Sequence, residues 1–95
     1  MKIQIGLVQK PFGIKGEVKV KPMTDYIQDR FKVGSSIELL LNEVRHNYVI
    51  ESVRHHQGSL LVKFEGLDSL NDVEFYHRGI IQVDRNDLDD LEEDE

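Results

Sequence analysis

The chain has 95 residues, with 12 Lys and Arg against 18 Asp and Glu for a formal net charge of −6, and no cysteine. Without thiols it has no disulfide framework, no cysteine nucleophile, no thiolate zinc site and no iron–sulfur ligation. A chain this short buries roughly 60–68% of its unfolded surface, enough for one core with a surface site rather than an enclosed enzyme pocket.

No apolar run approaches the roughly 18 residues that cross a bilayer. The start Met1 to Gly6 lacks a signal-peptide core and cleavage site, so a cytoplasmic location is expected. The net charge conceals a division along the chain. Residues 84–95 carry eight acids and one base (−7), whereas residues 1–83 carry eleven bases and ten acids (+1). Residues 1–32 alone have seven bases and three acids (+4), which makes the front third a candidate anion-facing surface.

Period-2 alternation begins at once: Ile3, Ile5 and Leu7 share one parity and Lys2 and Gln4 the other, as in a half-buried strand. A turn-rich stretch from Gln9 to Gly16 follows. Then Glu17 to Lys21 alternates strictly, with Val18 and Val20 inward, Lys19 and Lys21 outward, and Pro22 as the stop. Residues 24–31 predict a loop or one helical turn anchored by Tyr26, Ile27 and Phe31, with Phe31 and Val33 returning to the core before Gly34. Further strands are predicted over Ile37 to Leu41, Asn47 to Arg54 and Leu60 to Glu65. The last two are joined by a hairpin-sized connection from His55 to Ser59, and Leu60, Val62 and Phe64 form an inward row. The period then changes. Asp68 to Gly79 predicts a helix of about two turns, opened by an Asp cap and closed by Gly. Ile80 to Val83 predicts a sixth strand, and residues 85–95 an acidic linker in which Leu88 and Leu91 make a small docking pair. Six short strands with one late helix predict an all-β, six-stranded antiparallel barrel filled by side chains over residues 1–84.

Gly13 and Gly16 most simply supply positive φ in a hairpin or bulged loop. Gly13-Ile14-Lys15-Gly16 also has the spacing of a KH-domain clamp, but strands rather than helices flank it. A Walker loop and a dinucleotide fingerprint both lack required residues. Lys15, Lys19 and Lys21 share parity, interrupted by Glu17. They are either an ordinary solvated face or contacts to RNA phosphates, which position a ligand without reading its sequence. The pair His55-His56 points to opposite faces of its strand and is no metal site. No Ser/His/Asp arrangement or HExxH motif is present, so no catalytic residue or metal is expected.

The ordered series Ile5-Gly6-Leu7-Val8, Pro11-Phe12-Gly13-Ile14-Lys15-Gly16-Glu17-Val18-Lys19-Val20, Met23-Thr24-Asp25 leading to Arg30-Phe31 and Gly34, Phe64-Glu65-Gly66-Leu67-Asp68, Arg78-Gly79 and the acidic run Leu88 to Glu95 resembles the amino-terminal domain of the RimM family of 16S ribosomal RNA processing proteins. The resemblance implies a barrel like the second domain of translation elongation factors. It also implies that residues 85–95 lead toward a second, PRC-type barrel that lies outside this sequence. The implied activity is assembly rather than chemistry: binding the immature small ribosomal subunit near its head, contacting ribosomal protein uS-nineteen and assisting 16S rRNA maturation, with no cofactor.

The residues expected to meet RNA or the ribosome are Lys10, Phe12, Lys15, Lys19 and Lys21, with Arg30, Lys32, Arg54 and His55 as secondary candidates. Phe12 either stacks on an unpaired base or caps the barrel, capping being the simpler reading. A monomer is expected. The competing reading is a protein-only docking module without RNA contact.

Overall fold

The computed structural model describes residues 2–84. Six strands form a closed antiparallel barrel: β1 (Lys2–Phe12), β2 (Glu17–Pro22), β3 (Ser36–Leu41), β4 (Val44–His56), β5 (Ser59–Phe64) and β6 (Ile80–Asp84). Their order around the wall is β1-β2-β5-β4-β3-β6, and β6 pairs back onto β1, so no edge strand is left open. Two short helices lie between strands, α1 (Ile27–Arg30) and α2 (Leu70–Val73), and a 3-10 turn over Glu74–Tyr76 extends α2. Among the described residues, no helix is long and apolar enough to cross a membrane.

The predicted inward rows of β2 and β5 form the barrel interior: Val18 and Val20 with Leu60, Val62 and Phe64 are fully buried and share one core with Ile5, Ile37, Leu39, Ile50 and Ile81. β1 departs from simple alternation. Its pairing with β6 slips between Gln4 and Gly6, so after Ile5 the inward position passes to Val8, and Leu7 is only half buried. An inserted residue reverses the parity of everything after it, which is why counting by twos from Ile3 assigns Leu7 to the core wrongly.

The turns also refine the sequence reading. β3 and β4 are joined by Asn42-Glu43, both at positive φ (51° and 68°), and β4 and β5 by Gln57-Gly58 (48° and 83°), the left-handed pairs that suit tight hairpins. Both hairpins therefore run closer to their tips than predicted, and β4 starts at Val44 rather than Asn47. Val33, expected in the core, is 65% exposed, because the chain turns away at Val33-Gly34 once Phe31 is buried. The late helix is split, and its N-cap is Ser69 rather than Asp68. The Asp72 carboxylate accepts the backbone N–H groups of Asp68 and Ser69 at 3.0 and 3.2 Å, the reciprocal half of a capping box.

The barrel is plugged differently at the two ends of β2. Near Val20, Phe31 after α1 fills the space against Gly6, where an added Cβ would lie 2.7 Å from Val20 Cγ1 and 3.0 Å from Phe31 Cζ. Near Glu17, the segment entering α2 packs on the β1–β2 loop: Leu70 N–H donates to Ile14 O, and an added Cβ on Gly16 would sit 2.1 Å from Leu67 O. Gly16 (φ +94°) thus answers to both backbone sign and close approach, while Gly13 (φ +71°) answers to sign alone.

Candidate functional site

The β1–β2 hairpin places its cations on the outer wall. Val18 and Val20 face the core, so Glu17, Lys19 and Lys21 face out. A second slip in β1, between Val8 and Lys10, sets Lys10 directly opposite Lys19 and Phe12 opposite Glu17. Continuing around the wall, Lys19 is opposite Leu61 of β5, and Leu61 is opposite Arg54 of β4. Lys10, Lys19, Leu61 and Arg54 therefore form one row across four adjacent strands. Lys15 stands exposed at the hairpin tip and Lys21 is exposed at the other end of β2.

The electrostatics of this row are unbalanced. Like charges directly opposite on a ladder repel, yet among the described residues Lys10, Lys15, Lys19 and Lys21 form no salt bridge. Glu17 is taken by Arg54, whose Nε and Nη2 donate to its two carboxylate oxygens at 3.0 and 2.9 Å in a bidentate fork. That hydrogen bonding, reinforced by the charges of Arg54, Lys15 and Lys63, holds the Glu17 carboxyl below the ordinary carboxylate range against the opposing effect of desolvation. Lys63 is committed elsewhere, to Asp68 at 2.7 Å and Glu51 at 3.0 Å.

Beside the row lies an aromatic group. The Phe12 ring meets the His56 ring at 5.0 Å between centroids and a 59° tilt, and the Arg54 guanidinium sits 6.0 Å from the Phe12 centroid. Phe12 does not cap the barrel. It lies outside the core cluster, whose members are carried by the wall and by the two plugs. Leu61 is 0% exposed but also lies outside the core cluster; flanked in sequence by the inward Leu60 and Val62, it is buried on the outer side between Lys19 and Arg54.

The structure brings together Lys10, Phe12, Lys19, Lys21 and Arg54, with Lys15 at their margin. It does not bring in the remaining three candidates. Arg30 is 1% exposed, because α1 turns Arg30 and Phe31 inward and leaves Gln28 and Asp29 in water, so it is withdrawn from any contact surface. Lys32 is exposed in the turn before β3, on none of the four strands of the row. His55 pairs with the core residue Leu60 and emerges at the α1 end of the barrel, lining a groove with Asp25, Tyr26, Ile27, Gln28 and Asp29.

Sequence reasoning missed His56, Glu17 and Leu61 as members of the cluster. The signal for His56 was available: counting back from a two-residue Gln57-Gly58 turn sets His55 against Leu60 and His56 against Ser59, which puts His56 on the outer side. No such signal existed for the Arg54–Glu17 fork, which joins residues 37 apart.

Fold and site together define the class: a small, closed antiparallel barrel domain with a cationic and aromatic outer face built by two hairpins. Residues 3–88 match the family model described as the RimM N-terminal domain, and the chain belongs to the RimM family.

Two relatives show the extent of the likeness. The ribosome maturation factor RimM of Oceanobacillus iheyensis is 38% identical over 94 residues, covering 99% of this chain and 55% of that protein. The one from Staphylococcus epidermidis is 35% identical over 89 residues, covering 94% and 53%. A solved Pseudomonas aeruginosa structure described as a 16S ribosomal RNA processing protein, RimM, superposes with a TM-score of 0.83 at 25% identity, covering 93% of this chain and 53% of that one. The chain thus spans about half the length of the curated relatives it matches.

Proposed function

We propose that this domain binds the precursor of the small ribosomal subunit near its head and assists 16S rRNA maturation as a non-catalytic assembly factor in the cytoplasm. The observation that carries the proposal is the Lys10–Lys19 juxtaposition, two cations set face to face and flanked by Lys21, with no salt bridge to any of the three among the described residues. Such repulsion is relieved by a polyanion, and RNA phosphates match it. The ribosomal context comes from the relatives, which are named ribosome maturation factors. Binding of this kind acts on RNA folding by differential affinity: about 3 kcal/mol of preference for one RNA conformer changes its population ratio roughly a hundredfold. Contact with ribosomal protein uS-nineteen, by this barrel or by the rest of a longer protein, would add protein specificity to a face that reads phosphates.

The test is binding of the 95-residue chain to the head segment of 16S RNA, with and without uS-nineteen, over a salt series. The expected slope of log K against log salt is about −2 to −4, and Lys10→Ala with Lys19→Ala and Lys21→Ala should flatten it. Salt-insensitive binding to the ribosomal protein without RNA binding would instead make this a protein-docking barrel.

A further inference from the structure

Phosphate contacts alone do not distinguish one RNA shape from another. We propose that Phe12, His56 and Arg54 form a platform for an unpaired nucleotide, with Glu17 as the residue that positions the Arg54 guanidinium. This inference deepens the RNA-binding reading above and rests on it.

Four observations converge. The platform is assembled from the tips of two different hairpins, so its geometry is set by the barrel wall and not by one flexible loop. Its members are accessible: the Arg54 side chain is 61% exposed, and Phe12 and His56 are half-buried rings on the outer side. Its arginine is held by a two-point fork at 2.9 and 3.0 Å, which fixes the plane of the guanidinium as well as its position. Directly opposite Arg54 in the ladder, the fully buried Leu61 adds an apolar position to the same outer row.

Aromatic rings and arginine planes beside a lysine track are the combination that single-stranded RNA satisfies, one part stacking a base and the other following the backbone. In an A-form duplex the base faces are covered by their neighbours, so the platform would have nothing to stack on. The domain should therefore favour RNA with a splayed or looped base over a duplex.

The experiment compares a labelled oligouridylate strand with a blunt duplex of equal length, titrated by anisotropy at one salt concentration with the full 95-residue chain. The strand should bind about tenfold more tightly than the duplex, the worth of one stacked base. Phe12→Leu, which keeps an apolar side chain but removes the ring, should bring strand affinity down to the duplex level. Arg54→Lys, which keeps the charge but loses the planar fork, should do the same in part, and each variant's melting curve checks its fold.

Glu17→Gln is the sharpest arm, because it makes the face more positive. Charge alone predicts tighter binding of both RNAs; positioning predicts weaker binding of the strand with no loss for the duplex. Equal affinity for strand and duplex in the parent protein, or a preference that survives Phe12→Leu, would overturn the platform while leaving lysine-dependent RNA binding intact. Binding of neither RNA would overturn both readings.

Discussion

Two outer faces of this barrel carry charge, and they differ in what the charges meet. On the wall formed by β3, β6 and the start of β1, Glu38 is 8% exposed and accepts a 2.7 Å hydrogen bond from Gln82 Nε2. Lys2 Nζ and Arg45 Nε stand 3.6 and 3.8 Å from the same carboxylate. On the β1-β2-β5-β4 wall, the one carboxylate of the cluster is bound by Arg54, and the lysines around it face one another. The first arrangement is closed: its charged and polar groups meet one another across β1, β3, β4 and β6. The second is open at Lys10, Lys19 and Lys21, which form no salt bridge among the described residues, and a face of that kind is the one suited to an external anion. Counting charged residues would not separate the two.

Substitutions can break this contrast or sharpen it. The largest effect is expected from Gly16→Ala, which forces a side chain onto a φ of +94° and a Cβ 2.1 Å from Leu67 O. A loss of about 3–4 kcal/mol in urea denaturation is expected, together with RNA binding, since the hairpin that carries the open face is anchored there. Next comes the triple Lys10→Ala, Lys19→Ala and Lys21→Ala. It should lower RNA affinity by about a hundredfold at low salt with an unchanged or slightly raised melting temperature, because repulsion across β1 and β2 is removed.

Glu38→Ala should do the reverse on the closed face. It leaves the buried Gln82 amide without its acceptor and costs about 2 kcal/mol of stability by chemical denaturation, with no weakening of RNA binding in the same titration. Equal effects of the two sets of variants on both measurements would erase the distinction.

The smallest effect concerns the tyrosines that close the α2 end. Tyr48 and Tyr76 hydroxyls lie 2.6 Å apart, and burial, aided by that hydrogen bond, pushes the Tyr76 phenol up to about 12 from an ordinary 10.0. A folded-state value above the unfolded one means that the neutral phenol favours the native state. That contribution is complete below pH 10 and fades as pH rises toward about 12. Tyr76→Phe should cost ~1 kcal/mol at neutral pH and flatten the alkaline limb, read from denaturation midpoints across that window.

Much of the architecture was legible from alternation. Val18 and Val20, then Leu60, Val62 and Phe64, announced two walls of the core, and the change of period after Asp68 announced the late helical segment. The glycine loop was legible too, since Gly13 and Gly16 do take the positive φ that their spacing suggested. Where the reading slipped, the cause was a local break in period: the slip between Gln4 and Gly6 that turned Val8 inward in place of Leu7, and the inward turn of α1 that buried Arg30.

The candidate face divides along the same line. Lys19 and Lys21 were placed correctly because they lie two residues apart on one unbroken strand, where side chains alternate by backbone geometry alone. Choosing His56 over His55 required the hairpin register. The meeting of Phe12 with Arg54, and of Arg54 with Glu17, required the closed strand order β1-β2-β5-β4, which sets residues about 40 apart side by side. By itself, the sequence determined which residues face in along unbroken strands such as β2 and β5, where Gly13 and Gly16 turn the chain and which third of it is basic, because those depend on periodicity and on residues near in the chain. The tertiary structure alone decided which charges are neutralised and which are left open, because a charge's partners are set by distance in space, and here those partners come from strands far apart in the chain.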